Sequence, residues 1–129
     1  QAEQAARALA GESIAAIYTS DLLRAWHTAS AIAQTTGAPL VANKNLRERC
    51  FGSFEGKTYA ELEAQWPEAS VRWRQRVPDW APPGGESLLA LRERIASAVD
   101  DLAEQHVGGQ IVLVAHGGVM DVLYRLATG

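Results

Sequence analysis

Ile111-Val112-Leu113-Val114-Ala115-His116-Gly117-Gly118 is the stretch whose reading decides the fold of this chain. Its aliphatic run has the length and β-branching of a strand covered on both faces, as in a parallel sheet flanked by helices. Residues 119–127 then read as a helix. In open α/β sheets a ligand sits beyond the carboxyl ends of the strands. Here the two glycines would let it reach the free backbone NH groups that open the following helix. A lone histidine more often satisfies its own turn, but one that ends a strand and precedes a helix, as His116 does, is placed to face an anion.

Working outward, the segment before this strand reads as the longest helix. It starts at Glu86 and Ser87, and Leu88, Leu91, Ile95, Val99 and Leu102 recur at the helical period until His106, Val107, Gly108 and Gly109 end it. Residues 58–66 suit a helix opened by Thr58 with Glu61 three positions on, a capping-box pattern broken by Pro67. A further short helix is expected over 68–76, and 77–85, with Pro78, Pro82 and Pro83, must be loop. Trp66, Trp73 and Trp80 fall in this excursion, as a satellite core or as a wall of a substrate pocket.

At the other end, residues 1–10 form an amphipathic helix with Ala2, Ala5, Ala6 and Leu9 on one face, closed by Gly11. A short strand over 14–19 hands over to Ser20 as N-cap of a helix from Asp21 to Thr36, stopped by Gly37 with Pro39 beyond. Leu40-Val41-Ala42 can make a second strand, followed by a structured loop over 43–56. This alternation of helix and strand predicts an α/β fold, a three-layer α/β/α sandwich with a mainly parallel sheet. Residues 1–129 are read as one domain, with 57–85 a helical and loop excursion over the pocket. A chain that opens inside a helix and stops one helix after a strand is expected to be incomplete at both ends.

With 129 residues, 47% hydrophobic and 21% charged, the composition is that of soluble globular material. A net charge of -3 without basic clusters argues against a nucleic-acid surface, which needs a Lys/Arg patch. The single cysteine, Cys50, excludes an internal disulfide and makes no metal site, so a reducing cytoplasm is the expected compartment. No apolar run approaches the ~18 residues that span a membrane.

Four motifs in order carry a resemblance. Tyr18-Thr19-Ser20-Asp21-Leu22-Leu23-Arg24-Ala25-Trp26-His27-Thr28-Ala29 is the first, and Leu46-Arg47-Glu48-Arg49 with Phe51-Gly52 and Phe54-Glu55-Gly56 is the second. Pro83-Gly84-Gly85-Glu86-Ser87 and Val114-Ala115-His116-Gly117-Gly118 complete the set. Together they resemble the histidine phosphatase superfamily, the phosphoglycerate mutase-like proteins. The resemblance implies that fold, no cofactor and no metal. It also implies an Arg-His-Gly motif upstream of Gln1, whose histidine becomes phosphorylated.

Residue by residue, the resemblance makes Arg24 a phosphate ligand. A planar guanidinium in the first turn of a helix can hold two phosphoryl oxygens, with the helix dipole adding positive potential. Glu48 becomes the acid that protonates the leaving alcohol and then the base that activates water. His116 becomes a charge-stabilising donor to the phosphoryl oxygens, with Gly117 offering a backbone NH. Glu86 and Ser87 match a motif near the pocket rim but equally suit a plain helix N-terminus. His27 is given no catalytic role. Cys50 stands where relatives often carry His or Tyr, so substrate preference does not carry over.

The function implied is metal-independent phosphomonoester hydrolysis through a phosphohistidine, with the nucleophile outside residues 1–129. A phosphoglycerate mutase is the alternative using the same pocket, and a non-catalytic phosphate-binding or interaction module is the alternative of another class. The loops 50–56 and 82–87 resemble the phosphatase branch, including its α-ribazole phosphatase-like members, more than the dedicated mutases. The partner expected is a small phosphorylated metabolite, with no nucleic acid or membrane and with a homodimer left open.

Overall fold

The structure, a computed structural model, describes residues 2–128. Its sheet is built on β1 (Ala16–Thr19), which pairs in parallel with β2 (Leu40–Ala42) on one side and β3 (Ile111–Val114) on the other, giving the order β2-β1-β3. Ile17 lies opposite Leu40 and Val112, and Thr19 opposite Ala42 and Val114. All three carboxyl ends therefore share one edge. The reading of 111–114 as a strand is met, but the fully buried strand is β1, whose residues are 0 to 8% exposed, while those of β3 are half-buried. In the described sheet β1 is hydrogen-bonded along both sides and β3 along one.

Side chains alternate across the sheet and so define the layers. Ile17, Leu40, Val112 and Val114 pack with Ala6 and Leu9 of α1 (Ala2–Leu9) and with Ala29 and Ile32 of α2 (Leu23–Thr36). Ala16, Tyr18, Ile111 and Leu113 face the other way, against Leu46 and against Leu102 of α5 (Leu88–Gln105). On that face the Tyr18 hydroxyl meets His106 Nε2 at 2.7 Å. The result is the expected α/β/α sandwich, closed in sequence by α6 (Gly117–Thr128).

Gly37 ends α2 as expected, in the left-handed region at φ 73° with its NH on the Ala33 carbonyl. The start of α2 differs. The helix begins at Leu23 and has no side-chain cap, because the Ser20 hydroxyl, expected as that cap, accepts the Leu22 NH at 3.3 Å and turns toward β3.

The chain divides into two compact units, residues up to 48 with those from 95 on, and Arg49–Arg94. Helix α5 contributes 88–94 to the second and 95–105 to the first. In the second unit, α3 (Tyr59–Gln65) carries the expected cap, with Thr58 Oγ1 accepting the Glu61 NH at 3.2 Å. Pro67 opens α4 (Pro67–Arg74) rather than merely closing α3, since a first-turn residue needs no NH. The three tryptophans gather round buried Phe54, with ring centroids 5.5 Å (Trp66), 5.6 Å (Trp73) and 5.7 Å (Trp80) away. They form the satellite core. Gly52 is required beside it, because at φ 53° a Cβ there would collide with the backbone of Pro83 to Gly85.

Candidate active site

Three chain segments leave the carboxyl edge of the sheet. From β1 come Ser20 and Asp21; from β2, after a turn of 3-10 helix at Lys44–Leu46, come Arg47 and Glu48; from β3 come Ala115 and His116, then α6. The strand order places β2 and β3 on opposite sides of β1, so the topological switch lies between β1 and β3. Ser20 and His116 emerge there.

Ser20 is fully buried and extends the ladder, its NH donating to the Val114 carbonyl at 2.9 Å. Its Oγ lies 2.9 Å from His116 Nε2. The His116 carbonyl accepts the Met120 NH at 2.9 Å, which makes His116 the residue that opens α6. The NH groups of Gly117 and Gly118 then have no carbonyl of their own helix to bind. Gly118 donates to Glu48 Oε2 at 2.8 Å, and a Cβ at this position would fall on the Glu48 carboxylate. Gly117 is exposed, with open space where its Cβ would be.

Immediately before Glu48, Arg47 grips Asp21 with both arms of its fork, Nε to Oδ1 at 2.6 Å and a terminal nitrogen to Oδ2 at 2.5 Å. The hydrogen bond and charge of Arg47 hold the Asp21 carboxyl below its ordinary range, and Asp21 raises Arg47 in return. Arg24 lies in the first turn of α2, exposed, and His27 is exposed on the same helix.

Of the residues picked from the sequence, the first unit thus brings together His116, Glu48 and the first turn of α6, with Arg24 on the helix that follows β1. Glu86 and Ser87 belong to the second unit, where their polar atoms make internal contacts. Arg94 donates to both Glu86 carboxylate oxygens at 2.9 Å, and the Cys50 NH approaches at 3.3 Å. Burial pushes the Glu86 carboxyl up, but the Arg94 hydrogen bonds, the Cys50 NH and the charges of Arg94 and Arg49 outweigh it, so the net shift is down. The Glu86 carbonyl takes the Arg49 Nε at 2.8 Å, and that guanidinium sits 4.7 Å over the Trp73 ring. Burial, with the charge of Arg76, lowers Arg49. Ser87 Oγ accepts the Ala90 NH at 3.0 Å and so caps α5.

The sequence reading missed Ser20 as a partner of His116, the Asp21–Arg47 pair and the Gly118–Glu48 contact. Only strand register brings these together, so no local pattern announces them. Among the described residues no three His, Cys, Asp or Glu side chains converge as a metal site, and no helix is long and apolar enough to cross a membrane.

A histidine and a helix N-terminus thus stand together at the carboxyl edge of a parallel sheet, the place where open α/β folds bind their ligands. The whole chain, residues 1–129, matches the histidine phosphatase superfamily (branch 1), and it belongs to that family. It is 38% identical to phosphoglycerate mutase-like protein 4 of Arabidopsis thaliana, over 98% of this chain and 56% of that protein. It is 37% identical to a glucosyl-3-phosphoglycerate phosphatase of Mycolicibacterium vanbaalenii, over 100% of this chain and 60% of the relative. The solved complex of mycobacterial glucosyl-3-phosphoglycerate phosphatase with inorganic phosphate superimposes with a TM-score of 0.85 at 34% identity, covering 97% of this chain and 64% of that one. The chain thus spans less than two thirds of the length of these relatives.

Proposed function

We propose that the complete protein hydrolyses small phosphomonoesters through a phosphohistidine, and that residues 1–129 supply its acid and its phosphoryl-binding groups. The observation that carries this reading is the meeting of His116, Glu48 and the first turn of α6 at the sheet's switch point. A phosphoryl group seated there would meet the Gly117 NH, the positive end of the α6 dipole and the His116 imidazole. Because Nε2 of His116 is engaged by Ser20, Nδ1 is the atom that serves the phosphoryl oxygens. Arg24 would add its fork from α2.

In this mechanism an imidazole attacks phosphorus, a P–N bond forms as the P–O bond breaks, and Glu48 passes its proton to the departing alkoxide. Water then attacks the phosphohistidine, a P–O bond forms as the P–N bond breaks and inorganic phosphate leaves, and the proton of the water passes to the Glu48 carboxylate and restores the acid. None of the chain's own histidines suits the attack. His116 is the stabilising donor, the His106 ring is bonded to the Tyr18 hydroxyl, and His27 stands exposed on α2. The nucleophile is therefore assigned outside residues 1–129, and the single cysteine, Cys50, supports a cytoplasmic setting.

A panel of phosphomonoesters on the complete protein tests this, with phosphoglycerate present as a competing acceptor. Release of inorganic phosphate is the expected result. Transfer to phosphoglycerate would make the protein a mutase, and binding of phosphate without turnover of any ester would make it a non-catalytic module.

A further inference from the structure

The three segments at the carboxyl edge are fastened to one another pairwise by side-chain contacts. Ser20 joins the first to the third through His116, Glu48 joins the second to the third through the Gly118 NH, and Asp21 joins the first to the second through Arg47. The ring closes through adjacent residues, because Ser20 neighbours Asp21, Arg47 neighbours Glu48, and His116 and Gly118 share one helix start. Two of these contacts involve side chains already assigned to the chemistry. The third does not, and it is the only one of the three between two ionised side chains.

We propose that Asp21 and Arg47 are positioning residues for Glu48, and that their bidentate pair fixes the backbone from which the Glu48 carboxyl reaches the first turn of α6. This rests on the reading of Glu48 as the proton donor. The pair is too exposed for a mainly energetic role, with side chains 48% (Arg47) and 25% (Asp21) accessible, and ion pairs of that kind contribute little to stability. What a fork supplies is direction: two parallel N–H···O bonds set the orientation of both partners, which a single point charge does not. Glu48 has little latitude, since its carboxylate lies against Gly118 so closely that one added carbon there would overlap it. A shift of about an ångström in a reacting group can cost on the order of a hundredfold in rate.

The test uses the complete protein with Asp21→Asn, Arg47→Lys and, as reference, Glu48→Gln. Two quantities are measured: turnover of an alkyl phosphate and of para-nitrophenyl phosphate, whose leaving group departs without a proton, and exchange of the Gly118 amide by NMR. Asp21→Asn and Arg47→Lys are expected to lose about tenfold or more in kcat on the alkyl ester. On the nitrophenyl ester they should stay within about twofold, with KM little changed. Gly118 exchange should quicken in both. Equal losses on the two esters, while Glu48→Gln still discriminates between them, would overturn the proposal. If Glu48→Gln does not discriminate, the reading of Glu48 as acid fails instead. The amide measurement then decides for the pair alone: faster exchange in Asp21→Asn upholds it, and unchanged exchange removes it.

Discussion

Glu48 in the first unit and Glu86 in the second both sit in loops beside an arginine of their own segment, and both accept hydrogen bonds, yet they are held differently. Glu86 is clamped by the Arg94 fork, receives the Cys50 NH and is drawn down into its charged form, so it ties the Cys50 loop to the start of α5. Glu48 receives a backbone NH from the start of a helix, and the neighbouring Arg47 grips Asp21. A carboxylate held in its charged form by a guanidinium fork, as Glu86 is, suits an anchor. The contrast sets a carboxylate at the sheet edge against one tied to a helix start in the unit of the aromatic core.

The largest effect expected is on chemistry in the first unit. Glu48→Gln in the complete protein should slow alkyl phosphates by roughly 10²- to 10⁴-fold, the range for loss of a general acid, while sparing para-nitrophenyl phosphate. An equal loss on both esters would put Glu48 on the same footing as Glu86, an anchor without proton transfer.

In the second unit the comparable loss should be in stability. Phe54 is 4% exposed at the meeting point of three tryptophans, so Phe54→Ala should cost about 3 to 5 kcal/mol in denaturant unfolding. Activity lost with the unfolding midpoint unchanged would break the division between the units.

Returning to the sheet edge, Arg24→Lys keeps the charge but loses the fork. Titration calorimetry should show phosphate affinity weaker by about 2 kcal/mol, the lower end for a broken ligand ion pair, because Arg24 is exposed. Equal affinity in the two proteins would remove Arg24 from the site. Ser20→Ala should lower kcat by on the order of tenfold, as the loss of a buried hydrogen bond does, with little change in KM. A pure KM effect would show that Ser20 binds substrate rather than orienting His116.

The smallest effect concerns Glu86 and acid. Its folded-state pKa is lowered, so the stability it contributes is present above the unfolded value, about 4.3, and is lost as pH falls through the folded one. The stability gap between wild type and Glu86→Gln should therefore shrink on acidification below that range. A gap that widens instead would contradict the direction of the shift.

How much of this could be read from the sequence follows from what each signal depends on. Thr58 with Glu61, Gly37 and the aliphatic run 111–114 are local patterns, and the structure places a cap, a helix stop and a strand where they indicate. Ser20 was legible as a hydroxyl after a strand but not as a partner of His116, 96 positions away, because that contact depends on β1 lying beside β3. Asp21 with Arg47, and Glu48 with Gly118, were hidden for the same reason. The three tryptophans left two readings open until their packing round Phe54 was known. The local chain dictates elements and caps, whereas the site is made by the order in which strands lie together.

The central claim is that residues 1–129 hold the acid and the phosphoryl-binding groups while another part of the protein holds the nucleophile. Its most direct test is to quench the complete protein during turnover of a radiolabelled phosphomonoester, digest it under alkaline conditions that preserve phosphohistidine, and map the label. The account predicts acid-labile phosphate on a histidine outside residues 1–129, and none on His27, His106 or His116. Label on His116 would contradict it, turning the residue placed here as a stabilising donor into the nucleophile itself.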